Sequence, residues 1–286
     1  MSTNIALTCI LIANKCFNYI NPYLNNYELF SNSINQLIKT KAGNNEQFQF
    51  DIELDNIIKG VIENSGLNAS VFSEEGGFFN LRTGNDYYIV YDPFCNSSLA
   101  SKNFREAAMG ITFFNNSFDV EVSMLLDYQT GLITLLANNE VKYSQVNSVK
   151  QIQINKKLNE SLKDSWVVIT LENQEERKHL NQANTILSKS KRIFISSGHI
   201  YWHKLSTFNI DAYLDPFGGE KLYEMFPAII IQKLGGKVTN INGDDFNSAK
   251  MLKTFLKNPD YIFYPVSATS KKLHKEIIET INPTAR

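Results

Sequence analysis

Residues 92–98 read Asp92-Pro93-Phe94-Cys95-Asn96-Ser97-Ser98. They follow the run YYIVY at 87–91, whose β-branched and aromatic residues predict a strand that ends at Asp92. A carboxylate at a strand end, followed by a turn of small hydroxyl residues, can hold a hard cation beside a phosphate. Taken alone the pattern is weak, because acidic residues at strand ends more often do no more than solvate a loop.

Working outward, two further acidic stations join it: Ser73-Glu74-Glu75 upstream, and a group between Asp211 and Glu224 downstream. Before the first of these, DIELDNIIKGVIENSG at 51–66 places Leu54, Ile57, Ile58, Val61 and Ile62 at helical spacing, with Asp51 set to cap the start and Gly66 ending the run. Two helices are expected ahead of it, over roughly 3–20 and 26–40, then a loop at 41–47. VFS at 71–73, the 87–92 run, MGITFF at 109–114, VEVSMLLDY at 120–128 and LITLLA at 132–137 read as strands of one mostly antiparallel sheet. From about 150 the texture alternates: strands at 166–171, 192–196 and 211–215, KVTNI and YIFYP, with helices expected over 173–189, near 199–207, near 220–234 and at the C-terminal end. That alternation implies an α/β second half. The expected division is an N-terminal α+β half over 1–149 and a C-terminal α/β half over 150–286, forming one compact unit.

Bulk composition narrows the function classes. At 286 residues the chain can bury a large core, and 28 basic against 29 acidic residues give no net field pointing to nucleic acid or an anionic membrane as partner. Cys9, Cys16 and Cys95 form neither a disulfide framework nor a C-x-x-C motif, so a reducing, cytoplasmic home is expected. The apolar stretch Ala6 to Ala13 is too short to span a bilayer, has no basic residues before it and lacks a cleavage site, so it reads as the buried face of the first helix.

Order and spacing of these stations carry a resemblance. Glu74-Glu75, the 92–98 loop, Ser197-Gly198, Asp211-Ala212-Tyr213, KLGGKV at 233–238 and the ending YPVSATSKKLHKEI fall in sequence along the chain. Together they resemble the inositol monophosphatase and fructose-bisphosphatase superfamily from about residue 40 onward. That family's motifs are an acidic pair, D-P-x-D-G-[ST]-[ST], D-A-[YF], W-D-x-A-A-G and E-A-G-G. The resemblance implies a layered αβαβα sandwich, an α+β to α/β fold of the inositol monophosphatase type. It also implies a metal-dependent phosphatase, a hydrolase of phosphoric monoesters such as small sugar, inositol or nucleotide phosphates, working as a homodimer. Carried over position by position, it implies Glu74, Asp92, the Phe94 carbonyl and a late carboxylate, Glu224, as metal ligands. Asn96, Ser97 and Ser98 would grip the phosphate, and Asp51 with Ser97 would activate water.

Three departures fall on that same site. Cys95 stands where the family has a loop aspartate, and a soft thiol suits magnesium poorly. Asn96 replaces a glycine. LYEMFPAIIIQKLGG at 222–236 is one residue shorter than the family stretch, carries Pro227, and leaves Asp215 as the fallback to Glu224. The expected cofactor is therefore Mg2+, or Mn2+ or Zn2+, at one site rather than two or three. The function is a weak or altered-metal phosphomonoesterase with a degraded two-metal site. The alternative is an inactive pseudophosphatase that binds a metabolite or a protein partner.

Most of the remaining candidates admit more than one reading. Cys95 is a zinc or manganese ligand, a redox-sensitive gate, or a replacement tolerated after activity has gone. Cys9 and Cys16 read as packing residues. His199 and His203 form an H-x-x-x-H pair without an evident third ligand, and otherwise belong to an aromatic cluster. Lys102, Arg105 and Glu106 either recognise a second anionic group or form a solvated turn. Tyr201, Trp202 and Phe208 either line a cleft or fill the core.

Overall fold

The computed structural model describes residues 2–26, 37–38, 47–82, 85–101, 106–148, 150–171 and 174–281. Lys102, Arg105, most of the helix expected over 26–40 and most of the loop at 41–47 lie outside the described residues. Two compact units divide the chain, the first ending at Ile152 and the second beginning at Gln153.

The first unit opens with helix Ser2–Leu24. Strand β1 (Leu37–Ile38) pairs antiparallel with β2 (Gln47–Phe48), so residues 37 and 38 are not helical as the sequence suggested. Helix Gln49–Asn64 follows directly. Its buried stripe is Phe50, Asp51, Leu54, Asp55, Ile58, Val61 and Ile62, the three-and-four spacing that turns one face to a core. Strands β3 (Ala69–Ser73), β4 (Gly77–Leu81), β5 (Tyr87–Cys95), β6 (Ala108–Asn115), β7 (Val120–Asp127), β8 (Leu132–Ala137) and β9 (Glu140–Gln145) form one sheet in the order β4-β3-β5-β6-β7-β8-β9. Every neighbouring pair is antiparallel except β3 with β5. Ile5, Cys9, Ile12, Cys16 and Ile20 of the first helix share a core with Leu54, Ile58 and Ile62 of the second and with Val71, Ile89, Phe113, Met124 and Ile133 of the sheet. Cys9 and Cys16 are thus packing residues, and burial pushes both thiols well above their ordinary pKa. The two strands of this sheet that the sequence did not show, β4 and β9, are its edges. An edge strand has one neighbour and tolerates polar residues on the outer side, which erases the alternating signal.

The second unit is built on a five-stranded sheet of β10 (Trp166–Ile169), β11 (Arg192–Ile195), β12 (Ala212–Leu214), β14 (Lys237–Asn240) and β16 (Pro265–Ala268), in the order β11-β10-β12-β16-β14. β10, β11 and β12 run parallel, and β16 is antiparallel to both of its neighbours. A separate pair joins β13 (Glu220–Lys221) to β15 (Ile262–Phe263). One face of the larger sheet, with Val167, Ile169, Ala212, Leu214, Val266 and Ala268, meets Ala183 and Ile186 of helix Leu180–Lys189 and Leu273 and Ile277 of helix Lys271–Ile281. Strand alternation turns Tyr213 to the opposite face, where Trp202 of helix His199–Ser206 packs edge-on at 5.0 Å between ring centroids.

Two expected helices in this unit are broken. The one over 173–189 divides into Gln174–Arg177 and Leu180–Lys189. The one near 220–234 becomes β13, helix Leu222–Met225, a 3-10 turn Phe226–Ala228 and helix Ile229–Lys233, with Pro227 in the 3-10 turn where its missing N–H does least harm. Helix Ser248–Lys257 was not anticipated. Asn247 caps it by accepting the Lys250 N–H at 2.9 Å, and Met251, Leu252 and Phe255 are buried. Among the described residues no helix is long and apolar enough to cross a membrane.

Candidate metal and phosphate site

The single parallel pair in the first sheet positions two carboxylates. Ser73 is paired with Tyr91, so Glu74, the first residue after β3, and Asp92 each follow one of two residues held side by side. The Glu74 N–H donates to the Tyr91 carbonyl at 3.1 Å and extends the pairing by one residue. Asp51 comes from helix Gln49–Asn64, which packs on β5. It is the third residue of the helix rather than the residue before it, and its Oδ2 accepts the Phe48 N–H at 3.1 Å, closing the first turn. Its side chain is fully buried, and Oδ1 has no hydrogen-bond partner among the described residues. Burial raises the Asp51 carboxyl well above the usual carboxylate range. Glu75 and Glu74 add to the rise, and the Phe48 N–H and the nearby Ser97 hydroxyl oppose it. Asp51 is therefore close enough to Glu74, Glu75 and Ser97 to feel each of them.

The loop after Asp92 is held tightly. Asp92 is buried and its Oδ1 accepts the Phe94 N–H at 2.9 Å. The β5–β6 register slips between Asp92 and Cys95, a bulge that turns the chain. The Tyr128 hydroxyl donates to the Pro93 carbonyl at 2.7 Å, and the Phe94 ring lies between Tyr128 and Phe50, at 5.1 and 4.7 Å. Asn96 adopts a left-handed φ of +74°. This is the conformation a glycine gives freely, and asparagine is the side chain that tolerates it best. Its amide also donates to the Glu106 carbonyl at 3.1 Å, while its own carbonyl accepts the Ala100 N–H at 2.9 Å to start helix Ser97–Ser101. Replacing glycine at this position leaves the backbone turn in place. Ser97 and Ser98 are the first two residues of that helix.

The donor chemistry suits one hard cation. Glu74 and Asp92 offer carboxylate oxygens, and the orphaned Oδ1 of buried Asp51 lies within the same acidic group. Cys95 is 6% exposed and offers only sulfur, so it does not fit a second magnesium-type ligand set.

In the second unit the acidic residues have structural partners. Asp211 accepts both ends of a contact from the Asn159 amide, 3.1 Å to each oxygen, and the Trp166 N–H at 2.8 Å. Asp215 Oδ1 accepts the Gly218 and Gly219 N–H groups at 3.1 and 2.8 Å. Glu224 Oε2 accepts the Lys221 N–H at 3.0 Å across the first turn of its own helix. Glu220 was not anticipated. It is buried, accepts the Trp202 indole N–H at 3.0 Å and takes a short hydrogen bond from the Tyr213 hydroxyl. Burial raises its carboxyl well above the ordinary range, with Glu224 and Asp215 adding to the rise and the Tyr213 and Trp202 donors opposing it. The signal for it is thin: one acidic residue seven places after Tyr213. His199 Nε2 lies 3.0 Å from the Glu224 carbonyl, and burial lowers its pKa to about 4 against that contact. Trp202 is fully buried and Tyr201 nearly so, which makes both core residues. Phe208 is half-buried at φ +58°, with the Lys156 ammonium 5.6 Å from its ring.

No protein-family model matches the chain, and no curated protein matches it. Solved structures do. The extragenic suppressor protein suhB from Bartonella henselae superposes with a TM-score of 0.75 at 10% identity, over 98% of this chain and 99% of that one. The IMPase of Thermotoga maritima gives 0.69 at 13% identity, over 99% and 98%. Inositol monophosphatase-II from Staphylococcus aureus MSSA476 gives 0.69 at 14%, over 96% and 94%. The chain has the layered α+β fold of the inositol monophosphatase type, at only 10 to 14% identity to these three.

Proposed function

We propose that the chain is a divergent phosphomonoesterase that holds one divalent cation and turns over a small phosphorylated metabolite slowly. The observation that carries this reading is the gathering of Asp51, Glu74 and Glu75 beside Ser97, with Asp51 buried and one of its oxygens orphaned. Such a group repels itself until a cation neutralises it. Glu74, Asp92 and the Phe94 carbonyl would hold that cation, magnesium first, with manganese or zinc as alternatives. When bound it would neutralise charge on the phosphoryl oxygens and lower the pKa of a bound water. Asp51 would take up a proton at Oδ1, and Ser97, Ser98 and the backbone at Asn96 would orient the phosphate. The substrate class is a sugar, inositol or nucleotide monoester, and the working form is a cytoplasmic homodimer.

The second reading is a pseudophosphatase that binds a metabolite or a protein partner without turnover. Cys95 favours it, because a buried thiol replaces a hard ligand. Calorimetric titration with Mn2+ tests the one-cation reading. One site per chain is expected, with Cys95→Asp adding a second. No binding, or two equivalent sites in the native chain, contradicts it.

A further inference from the structure

We propose that Asp55 is a positioning residue that fixes the turn carrying Glu74 against the end of β5, and so sets the placement of Glu74 relative to Asp92. The consequence for cation binding rests on the one-cation reading above; the placement itself does not. Asp55 lies one helical turn after Asp51 and is 4% exposed. Its Oδ1 accepts two hydroxyls, Ser73 Oγ at 2.5 Å and Tyr91 at 2.7 Å, and its Oδ2 pairs with Lys59 at 2.5 Å. Ser73 and Tyr91 are the residues paired across the parallel strands, and each immediately precedes one of the two carboxylates. One oxygen thus ties together the last regular residues before Glu74 and Asp92.

The tie extends through the turn. Ser73 Oγ donates to Asp55 and accepts the Glu75 and Gly76 N–H groups, both at 3.2 Å, which uses the hydroxyl's whole capacity. The Glu74 N–H goes to the Tyr91 carbonyl. Three successive amides, 74 to 76, are therefore anchored to the two residues that Asp55 holds. Lys59 closes the far side, with its ammonium occupying the space a Cβ on Gly76 would need. A buried carboxylate held by a partly exposed ammonium is a costly way to stabilise a helix–strand contact that apolar residues would make as well. Here they place two hydroxyls and a turn at fixed distances. A group that orients metal-binding carboxylates without touching the metal typically changes affinity by about 10- to 100-fold when removed.

The test compares Asp55→Asn, Ser73→Ala and Ser73→Thr with the native chain, with Thr112→Val as a control that breaks the buried Thr112–Ser123 bond elsewhere in the same sheet. Two readouts are taken: Mn2+ affinity, and amide hydrogen exchange at Glu74–Gly76. Asp55→Asn and Ser73→Ala are expected to weaken Mn2+ binding by about tenfold or more and to speed exchange in the turn. Ser73→Thr, which keeps the hydroxyl, restores both, and Thr112→Val moves neither even where it lowers the melting temperature. Native-like exchange at 74–76 in Asp55→Asn and Ser73→Ala overturns the proposal. So does faster exchange with unchanged affinity in a chain that binds Mn2+. A native chain that binds no Mn2+ overturns the one-cation reading instead, and the exchange rates then decide the placement of the turn by themselves.

Discussion

Asn96 shows how a residue that looks like damage in a motif can keep the geometry the motif needs. Its φ of +74° costs most side chains about 1–2 kcal/mol, and its amide bond to the Glu106 carbonyl offsets part of that strain. Asn96→Ala, which keeps the strain and loses the bond, is expected to lower unfolding stability by about 1–2 kcal/mol. Asn96→Gly, which removes both, is expected to stay within about 1 kcal/mol of the native chain. Urea denaturation of the two variants measures the difference. Equal losses would mean that φ at 96 is not under strain. Cys95 differs in kind: no backbone adjustment turns sulfur into a hard ligand, so under the one-cation proposal its effect would fall on metal choice rather than on the loop.

At the scale of elements, helix Lys271–Ile281 carries a buried histidine against β14. His274 Nε2 lies 3.0 Å from the Thr239 hydroxyl, and burial lowers its pKa to about 4, with the Val266 carbonyl opposing. Unfolded, the imidazole takes up its proton near pH 6.5. Between 6.5 and about 4 the unfolded chain holds the extra proton, so stability falls as pH falls, by up to about 1.4 kcal/mol per pH unit for one such group. His274→Gln is expected to make the stability–pH curve shallower over that window, leaving the slope that His199, lowered to about 4 as well, contributes, and to leave its shape unchanged above pH 7; an identical slope in the variant would show that His274 does not supply it. The elements legible in the sequence were helix Gln49–Asn64, whose stripe also held Asp51, strands β3 and β5 to β8, and the alternating strands β10, β11, β12 and β14 with the last helix. The edge strand β9 was hidden by polar residues, β4 by its five-residue length after the Gly76-Gly77 turn, and the 220–234 segment by apolar residues that fit a helix but cross a proline. Asp55 was missed because its role depends on pairing with residues 18 and 36 positions away, which no local pattern displays.

At the scale of the molecule, the order of landmarks along the chain carried the fold, and superposition on solved structures at 10 to 14% identity shows that one backbone arrangement accommodates widely different sequences. The first unit keeps a helix start, a parallel strand pair and a bulged loop that bring Asp51, Glu74 and Ser97 into one acidic group. Under the one-cation proposal, Cys95 and Asn96 would alter the ligand set without unmaking that arrangement. The most direct test is turnover of a panel of sugar, inositol and nucleotide monophosphates with Mg2+, Mn2+ and Zn2+, by the native chain and by Cys95→Asp combined with Asn96→Gly. Slow, cation-dependent release of phosphate by the native chain, raised in the repaired one, is the expected result. Absence of hydrolysis and of metal binding in both would contradict the phosphatase reading and leave the fold in a purely binding role.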